Sequence, residues 1–407
     1  MIKTPKLRFK EFSGGWERVT LKQVTNGFEY GMNSASTEFD GVNKYIRITD
    51  IDENTSKYIN TNVVSPLGKL EDKYLVKEND ILFARTGAST GKTYLYDNKD
   101  GKLYFAGFLI RANVNSYNNS KFIFLQTKSG AYDKWVKVMS MRSGQPGINS
   151  QEYASYSFNA PSKEEQDKIA SFFSLIDDKI SLQDEKVEAL KDYKKGMMQK
   201  IFSRELRFKD DEGCDYPEWK HKKLNSIVER VTRKNKGLQS TLPLTISAQY
   251  GLVDQITFFN KTVASSNLEG YYLLEKGEFA YNKSYSTGYP FGAIKRLDNY
   301  DKGVLSSLYI CFAPLENMDS DFLLQYFETS CWHKEISMIA VEGARNHGLL
   351  NISVSDFFET YHWIPSYEEQ IKIGKFLCQI DEKVAKEQAK LDSLNEYKKG
   401  LLQQMFV

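Results

Sequence analysis

The sequence predicts an α+β fold: two repeated globular domains separated by a long antiparallel two-helix coiled coil, a dumbbell with a pseudo-twofold axis across its bar. Three observations predict it. The stretch 161–203 occurs again, diverged, at 365–407. Each copy carries a heptad pattern, and the segments ahead of the two copies repeat one another more faintly.

The first copy reads PSKEEQDKIASFFSLIDDKISLQDEKVEALKDYKKGMMQKIFS and the second PSYEEQIKIGKFLCQIDEKVAKEQAKLDSLNEYKKGLLQQMFV. Both open on Pro-Ser, run into Glu-Glu-Gln, and end in Tyr-Lys-Lys-Gly, two apolar residues and Gln. In the first, Ile169, Ile176, Gln183, Leu190 and Met197 fall on one heptad position, with Phe173, Ile180, Val187, Lys194 and Ile201 on the other. In the second, Ile373, Ile380, Glu387, Leu394 and Leu401 alternate with Leu377, Val384, Leu391, Lys398 and Met405. Alternating steps of four and three build a coiled-coil seam, and a polar residue in each seam position is able to fix register. Pro161 and Pro365 stop what precedes them, and Ser162 and Ser366 stand three residues before Glu165 and Glu369, the spacing of a capping box. A helix of this length spans roughly 55–60 Å at about 1.5 Å per residue, whereas the segment 204–364 would be roughly 35–40 Å across as a compact domain. A domain that size joins neighbouring helix ends more readily than distant ones, which favours the antiparallel arrangement.

In the globular halves, Leu7-Arg8-Phe9-Lys10 ahead of Trp16 is echoed by Leu206-Arg207-Phe208-Lys209 ahead of Trp219. LVKENDILF at 75–83 matches LLEKGEFAY at 273–281, a turn followed by a strand, and Ser-Thr-Gly follows in each at 89–91 and 286–288. Strands are expected at 45–49 and 244–247, rich in β-branched and aromatic residues, and again at 109–114 and 308–312. Helical stretches are expected at 121–139 and 321–338. Strands early and helices late in each half make mixed α+β domains rather than a doubly wound sheet.

With 407 residues, 41% hydrophobic and net charge +2, the chain has room for two or three folded domains and is no acidic mimic of DNA. Any basic surface must be local. Cys214, Cys311, Cys331 and Cys378 form no Cys-x-x-Cys and read as free thiols in a reducing compartment. No run is of membrane-spanning length and the first residues lack the apolar stretch of a signal peptide, so the expectation is a cytoplasmic protein with no membrane partner.

Motifs for self-contained chemistry are lacking. Gly87-Ala-Ser-Thr-Gly-Lys-Thr93 has three residues, not four, between its first Gly and the Gly-Lys-Thr, and TYLYDN after it reads as a strand where a phosphate-binding loop must open a helix. The four histidines, His221, His333, His347 and His362, show no ligand spacing. None of the nine prolines follows Asn, Asp or Pro, which argues against a base methyltransferase motif. Asp177-Asp178 and Asp381-Glu382, on the helices, read as solvated faces. The expectation is a chain that is not an enzyme, with no metal site and no cofactor of its own.

What remains are basic, polar and aromatic loops at matched places. In the first half these are Arg85, Thr86, Ser89 and Lys92, then Arg142, Ser143 and Gln145. In the second they are Ser247, Gln249 and Tyr250, then Lys283, Ser284 and Tyr285, then Arg345, Asn346 and His347, with Arg233 and Lys234 in a phosphate-binding patch. Arg and Lys read guanine edges, Gln and Asn read adenine, and hydroxyls and lysines hold phosphates. A solvated turn is the simpler reading of any single loop; recurrence in paired domains carries the case.

On the Pro-Ser-x-Glu-Glu-Gln openings, the Tyr-Lys-Lys-Gly endings and the Leu-Arg-Phe…Trp entries, the chain resembles the specificity subunits of Type I restriction–modification systems over essentially its full length. The resemblance implies two target-recognition domains, here 1–160 and 204–364, each reading one half of a bipartite double-stranded DNA target. The helices at 161–203 and 365–407 would set the gap. It also implies two docked modification subunits that carry S-adenosylmethionine, and restriction motor subunits bound through them. No base-contacting residue transfers by motif. The alternative is a non-catalytic protein–protein scaffold with two binding domains on a coiled-coil spacer. Steep loss of binding with salt would separate the two.

Overall fold

The computed structural model describes residues 4–406 apart from 142–143, 262, 266, 287 and 341–349. The chain divides into two units, Met1–Asp184 with Ala389–Val407, and Glu185–Gln388.

The first unit contains β1 (Glu17–Thr20), α1 (Leu21–Val24), β2 (Thr25–Tyr30), β3 (Ser36–Glu38), β4 (Lys44–Ile46), β5 (Val64–Pro66), β6 (Asp80–Ala84), β7 (Thr93–Leu95), β8 (Leu103–Phe105) and β9 (Leu109–Val114). After them come α2 (Ser120–Gln126), α3 (Gly130–Met139), α4 (Ser150–Ser155), β10 (Ser157–Ala160) and the start of α5 (Lys163–Phe202). An antiparallel sheet in the order β2-β9-β6-β7 forms its centre, with β1 paired to β10, β3 to β5 and β4, in parallel, to β8. Both faces of β6 are covered, so it reads as a continuous apolar run. Ile81 and Phe83 enter the core under α2 and α5, while Leu82 and Ala84 enter a smaller core with Ile46, Ile51, Val76 and Phe105.

The second unit holds the rest of α5, then β11 (Lys220–Lys223), β12 (Val228–Arg230), β13 (Leu244–Ser247), β14 (Gly251–Asp254), α6 (Gln255–Phe259), β15 (Tyr272–Glu275), β16 (Phe279–Asn282), β17 (Ala293–Arg296), β18 (Lys302–Leu305) and β19 (Ile310–Pro314). It continues with α7 (Ser320–Phe327), α8 (His333–Ile339), α9 (Val354–Phe358), β20 (Tyr361–Ile364) and most of α10 (Tyr367–Met405). Its central sheet, β12-β19-β16-β17, reproduces the first one strand for strand, and β11 pairs with β20 as β1 does with β10. The turn entering β6 or β16 needs a left-handed residue, which is Asn79 in one copy and Gly277 in the other.

The long helices are antiparallel neighbours within each unit. In the first, Ile169, Phe173 and Ile176 near the start of α5 share a core with Leu401, Leu402, Met405 and Phe406 at the end of α10, and half-buried Ile180 packs against it. In the second, Ile201 and Phe202 at the end of α5 meet Ile373, Leu377 and Ile380 near the start of α10, with Met197 and Val384 half-buried alongside. Of the other seam residues, Val187 and Leu391 are buried and Leu190 and Leu394 half-buried. A phenylalanine closes each helix and enters a core, Phe202 as the last residue of α5 and Phe406 just past α10. Phe406 meets Trp16 and Phe122, and Phe202 meets Trp219 and Phe322.

The repeated motifs turn out to bind each other. Arg8 donates twice to Glu165 (2.8 and 2.7 Å), whose side chain is almost wholly buried, and the Trp16 indole N–H donates to the same carboxylate. Arg207 donates twice to fully buried Glu369 (3.1 and 2.8 Å). These glutamates therefore serve as buried anchors for the Arg of each Leu-Arg-Phe, rather than turning back to cap their own helices. The glutamines that follow bind the chain just ahead of α2 and α7: Gln166 accepts from the Asn119 N–H (3.0 Å) and Gln370 from the Asp319 N–H (2.9 Å).

Four local expectations need correction. The stretch 121–139 is two helices, because the Thr127 and Ser129 hydroxyls bond back to Phe124 and Gln126 carbonyls and Ser129 caps a new start. Likewise 321–338 breaks between α7 and α8. The strand expected at 45–49 stops at Ile46, since Asp50 accepts from both the backbone and the guanidinium of Arg47 and curls the chain into a short 3-10 turn. Asp177 is not on a solvated face: it lies between Lys121 (2.5 Å) and Lys398 (2.7 Å), and Asp381 pairs with Lys194 (2.6 Å). Thus the seam lysines of both helices pair with matching aspartates.

Candidate nucleic-acid interface

Antiparallel register brings four chain segments to one end of the first unit's central sheet: the exits of β2 and β6 and the entries of β9 and β7. Arg85 leaves β6 there, half-buried, with its guanidinium over the Tyr30 ring (4.8 Å) and donating to the Gly107 carbonyl (3.4 Å). The turn that follows needs positive φ at Gly87 and Gly91. Thr86 bridges Gly147, the Gly87 N–H donates to Pro146 O (3.0 Å) and the Ile148 N–H to Arg85 O (2.9 Å), so the segment around 145–148 lies across this turn. That seats exposed Gln145 beside Gly87, its Nε2 3.2 Å from where a β-carbon there would be.

Arg85, Thr86, Ser89 and Gln145 are thus brought together. Lys92 is not free to join them, because its ammonium donates to the Ile51 carbonyl (2.9 Å) and pairs with Glu53 (3.4 Å). Arg142 and Ser143 lie outside the described residues. The residues that sequence reasoning missed here are Tyr30, whose hydroxyl meets Ser150 (3.1 Å), and exposed Phe108. Phe108 was legible as the position two hundred residues ahead of Leu308.

The matching end of the second unit's sheet carries Lys283, Ser284 and exposed Tyr285. The Leu350 N–H donates to Lys283 O (2.9 Å) as Ile148 does to Arg85, while the Lys283 ammonium donates to Ile352 O (3.1 Å). Arg345, Asn346 and His347 lie outside the described residues. The structure does not gather the remaining candidates here. Ser247, Gln249 and Tyr250 form the β13–β14 turn, where the Ser247 hydroxyl accepts from the Tyr250 N–H (3.1 Å). Arg233 pairs with Glu278 (2.8 Å), just ahead of β16 and so at its opposite end, and Lys234 donates to Gly270 O (2.8 Å) over the Tyr272 ring.

Among the described residues, no group of three or more His, Cys, Asp or Glu is placed to hold a metal ion, and no helix is long and apolar enough to cross a membrane. The four cysteines are free thiols.

Comparison with known proteins gives these loops a context. Residues 13–192 match the model of the Type I restriction modification DNA specificity domain. The Type I restriction enzyme MjaVIII specificity subunit of Methanocaldococcus jannaschii is 24% identical over 370 residues, covering 86% of this chain and 83% of that protein. Residues 13–192 thus carry the domain of Type I restriction–modification specificity subunits, and the chain is similar to such subunits along most of its length. A crystal structure of the S subunit from M. genitalium has the same fold over 100% of this chain and 99% of its own (TM-score 0.61, 17% identity). So has a chain from a structural study of assembly and conformational transition in the type I R-M system, over 97% and 98% (TM-score 0.53, 14% identity). A specificity subunit recognises the DNA target and is the non-catalytic part of its complex.

Proposed function

We propose that this specificity subunit reads a bipartite double-stranded target, with residues 1–160 contacting one half-site and residues 204–364 the other. The observation that carries this reading is the duplicated sheet end, where Arg85 and Lys283 follow matched strands and each is crossed by a later loop. Two different readers in one chain give an asymmetric, split target, as two identical ones give a palindrome. The helices of 161–203 and 365–407 set the gap, since α5 and α10 are helical nearly throughout these segments. Two modification subunits, holding the S-adenosylmethionine that this chain does not bind, dock on it in the cytoplasm, and restriction motor subunits join through them.

The test is co-expression with the neighbouring modification subunit and mapping of methylated positions in genomic DNA. A split motif with a fixed gap is expected, and replacing 204–364 by another such domain should change one half only. Inserting a heptad in both helices should lengthen the gap and leave the bases unchanged. A short continuous motif, or methylation independent of this chain, would overturn the reading.

A further inference from the structure

Two exposed apolar residues occupy the same position in the two units. In the first, the strands β8 and β9 are joined by a turn closed by the Leu109 N–H donating to Ala106 O (2.8 Å). In the second, β18 and β19 are joined by a turn closed by Tyr309 donating to Ser306 O (3.2 Å). The third residue of each turn is Phe108, 63% exposed, and Leu308, 75% exposed. Each stands two residues beyond a matched strand pair, Phe83↔Ile110 and Tyr281↔Ile310, opposite the position of Arg85 and Lys283. The Arg85 N–H also donates to Phe108 O (3.1 Å).

A single exposed apolar side chain needs no explanation. Two of them, at one turn position of a diverged repeat and each opposite a cation, do. Neither side chain can donate or accept a hydrogen bond, so neither can read a base edge in the usual way. The apolar group that a base pair presents in the major groove is the thymine 5-methyl. A cation beside each supplies the phosphate or guanine contact that would hold the groove against it.

Resting on the recognition reading above, we infer that Phe108 and Leu308 are specificity-determining residues, each packing on the 5-methyl group of a thymine in its own half-site. Phe108→Ala relaxes one base pair of one half of the methylated motif, and Leu308→Ala one base pair of the other.

The experiment uses the full chain with its modification subunit and duplexes carrying the mapped motif. Phe108→Ala is expected to weaken binding about tenfold on that duplex, within the usual cost of one wrong base pair, and to leave scrambled DNA unaffected. Replacing the implicated thymine by deoxyuridine should weaken the unaltered protein equally, with no further loss when the two changes are combined. Tyr117→Ala, exposed beyond the other end of β9, should change nothing. An unchanged melting temperature and retention of binding by Phe108→Leu would show that the fold is intact. The inference is overturned if either half-site lacks a thymine, if deoxyuridine has no effect, or if the alanine variants weaken all sequences alike, as a non-selective wedge would. If the unaltered complex selects no sequence at all, the recognition reading itself falls.

Discussion

The two units share a plan where they meet the long helices and part company away from them. At the helices the duplication is chemical as well as topological: Arg8 on Glu165 and Arg207 on Glu369, Gln166 and Gln370 ahead of α2 and α7, Phe406 and Phe202 in the cores. Elsewhere the same positions carry different solutions. Lys128, following α2, places its ammonium against the hydroxyls of Thr93 (2.6 Å) and Ser56 (2.7 Å) and over the Phe124 ring. Glu328, following α7, instead pairs with buried Lys295 (2.5 Å). Framework chemistry that must hold a helix in place tolerates little change, whereas a wall that only has to be filled can be rebuilt.

The sharpest way to test that contrast is at the buried anchors. Glu165→Ala leaves Arg8 without its buried counter-charge, and Glu369→Ala leaves Arg207 with exposed Glu218 alone (3.2 Å); each should cost about 3–5 kcal/mol, the second less than the first. Amide exchange should show lost protection in the altered unit first. Equal, global loss would mean that the units do not unfold separately.

Gly374 offers a reversal of sign. Its partner in the first copy of the repeat is Ala170, which is buried without difficulty. A β-carbon on Gly374 would lie 2.6 Å from an Asp319 carboxylate oxygen and 2.8 Å from the Phe322 nitrogen. Gly374→Ala should therefore destabilise by about 1–3 kcal/mol through overpacking, against the gain of roughly 1 kcal/mol that alanine brings to a helix interior. A raised melting temperature would refute the close approach.

Lysine-to-methionine changes should also split the units. Burial pushes the Lys128 pKa down to about 7. The unfolded lysine binds its proton up to about pH 10.4, so the cost of charging Lys128 in the fold is complete below pH 7 and fades as pH rises towards that value. Lys128→Met should stabilise by on the order of 1–2 kcal/mol at pH 6, with a shrinking advantage at pH 9, by urea unfolding. Lys295→Met strands Glu328 and should destabilise at both.

The smallest effect concerns the seam. Asp177 keeps Lys121 when Lys398 is lost, whereas Asp381 loses its lysine with Lys194 and retains the neutral Gln325 amide (2.8 Å). Lys194→Met should cost more than Lys398→Met, by a few tenths of a kcal/mol, since both pairs are partly solvated. A double-mutant cycle with each aspartate would measure it.

The helices were legible because heptad spacing is a local signal that points to the seam, and the repeat at one constant offset shows it twice. The sheet was legible as strands but not as an order, since period-two alternation names a strand's faces and not its neighbours. Glu165 and Glu369 were read as caps because Ser162 and Ser366 stood at the right spacing; their true partners lie near the other end of a domain. The usable clue was that Leu-Arg-Phe and Glu-Glu-Gln recur together. At the candidate interface, residue type alone could not separate Arg85, held at the sheet end, from Lys92, whose charge is spent on Glu53 and a carbonyl.

The interleaving of the two units along the chain bears on the order in which they form. Glu185–Gln388 is continuous, so everything its core needs has been synthesised once Gln388 is made. The first unit must wait for Leu401, Leu402, Met405 and Phe406 to fill its own core. Closing so long a loop in a flexible chain carries an entropic cost on the order of 5 kcal/mol. Prior folding of the second unit draws the ends of that loop together, through contacts such as Lys186 with Glu387 (3.2 Å). The half of the protein made first is thereby completed last, with its unfinished core in need of shelter while the ribosome is still at work.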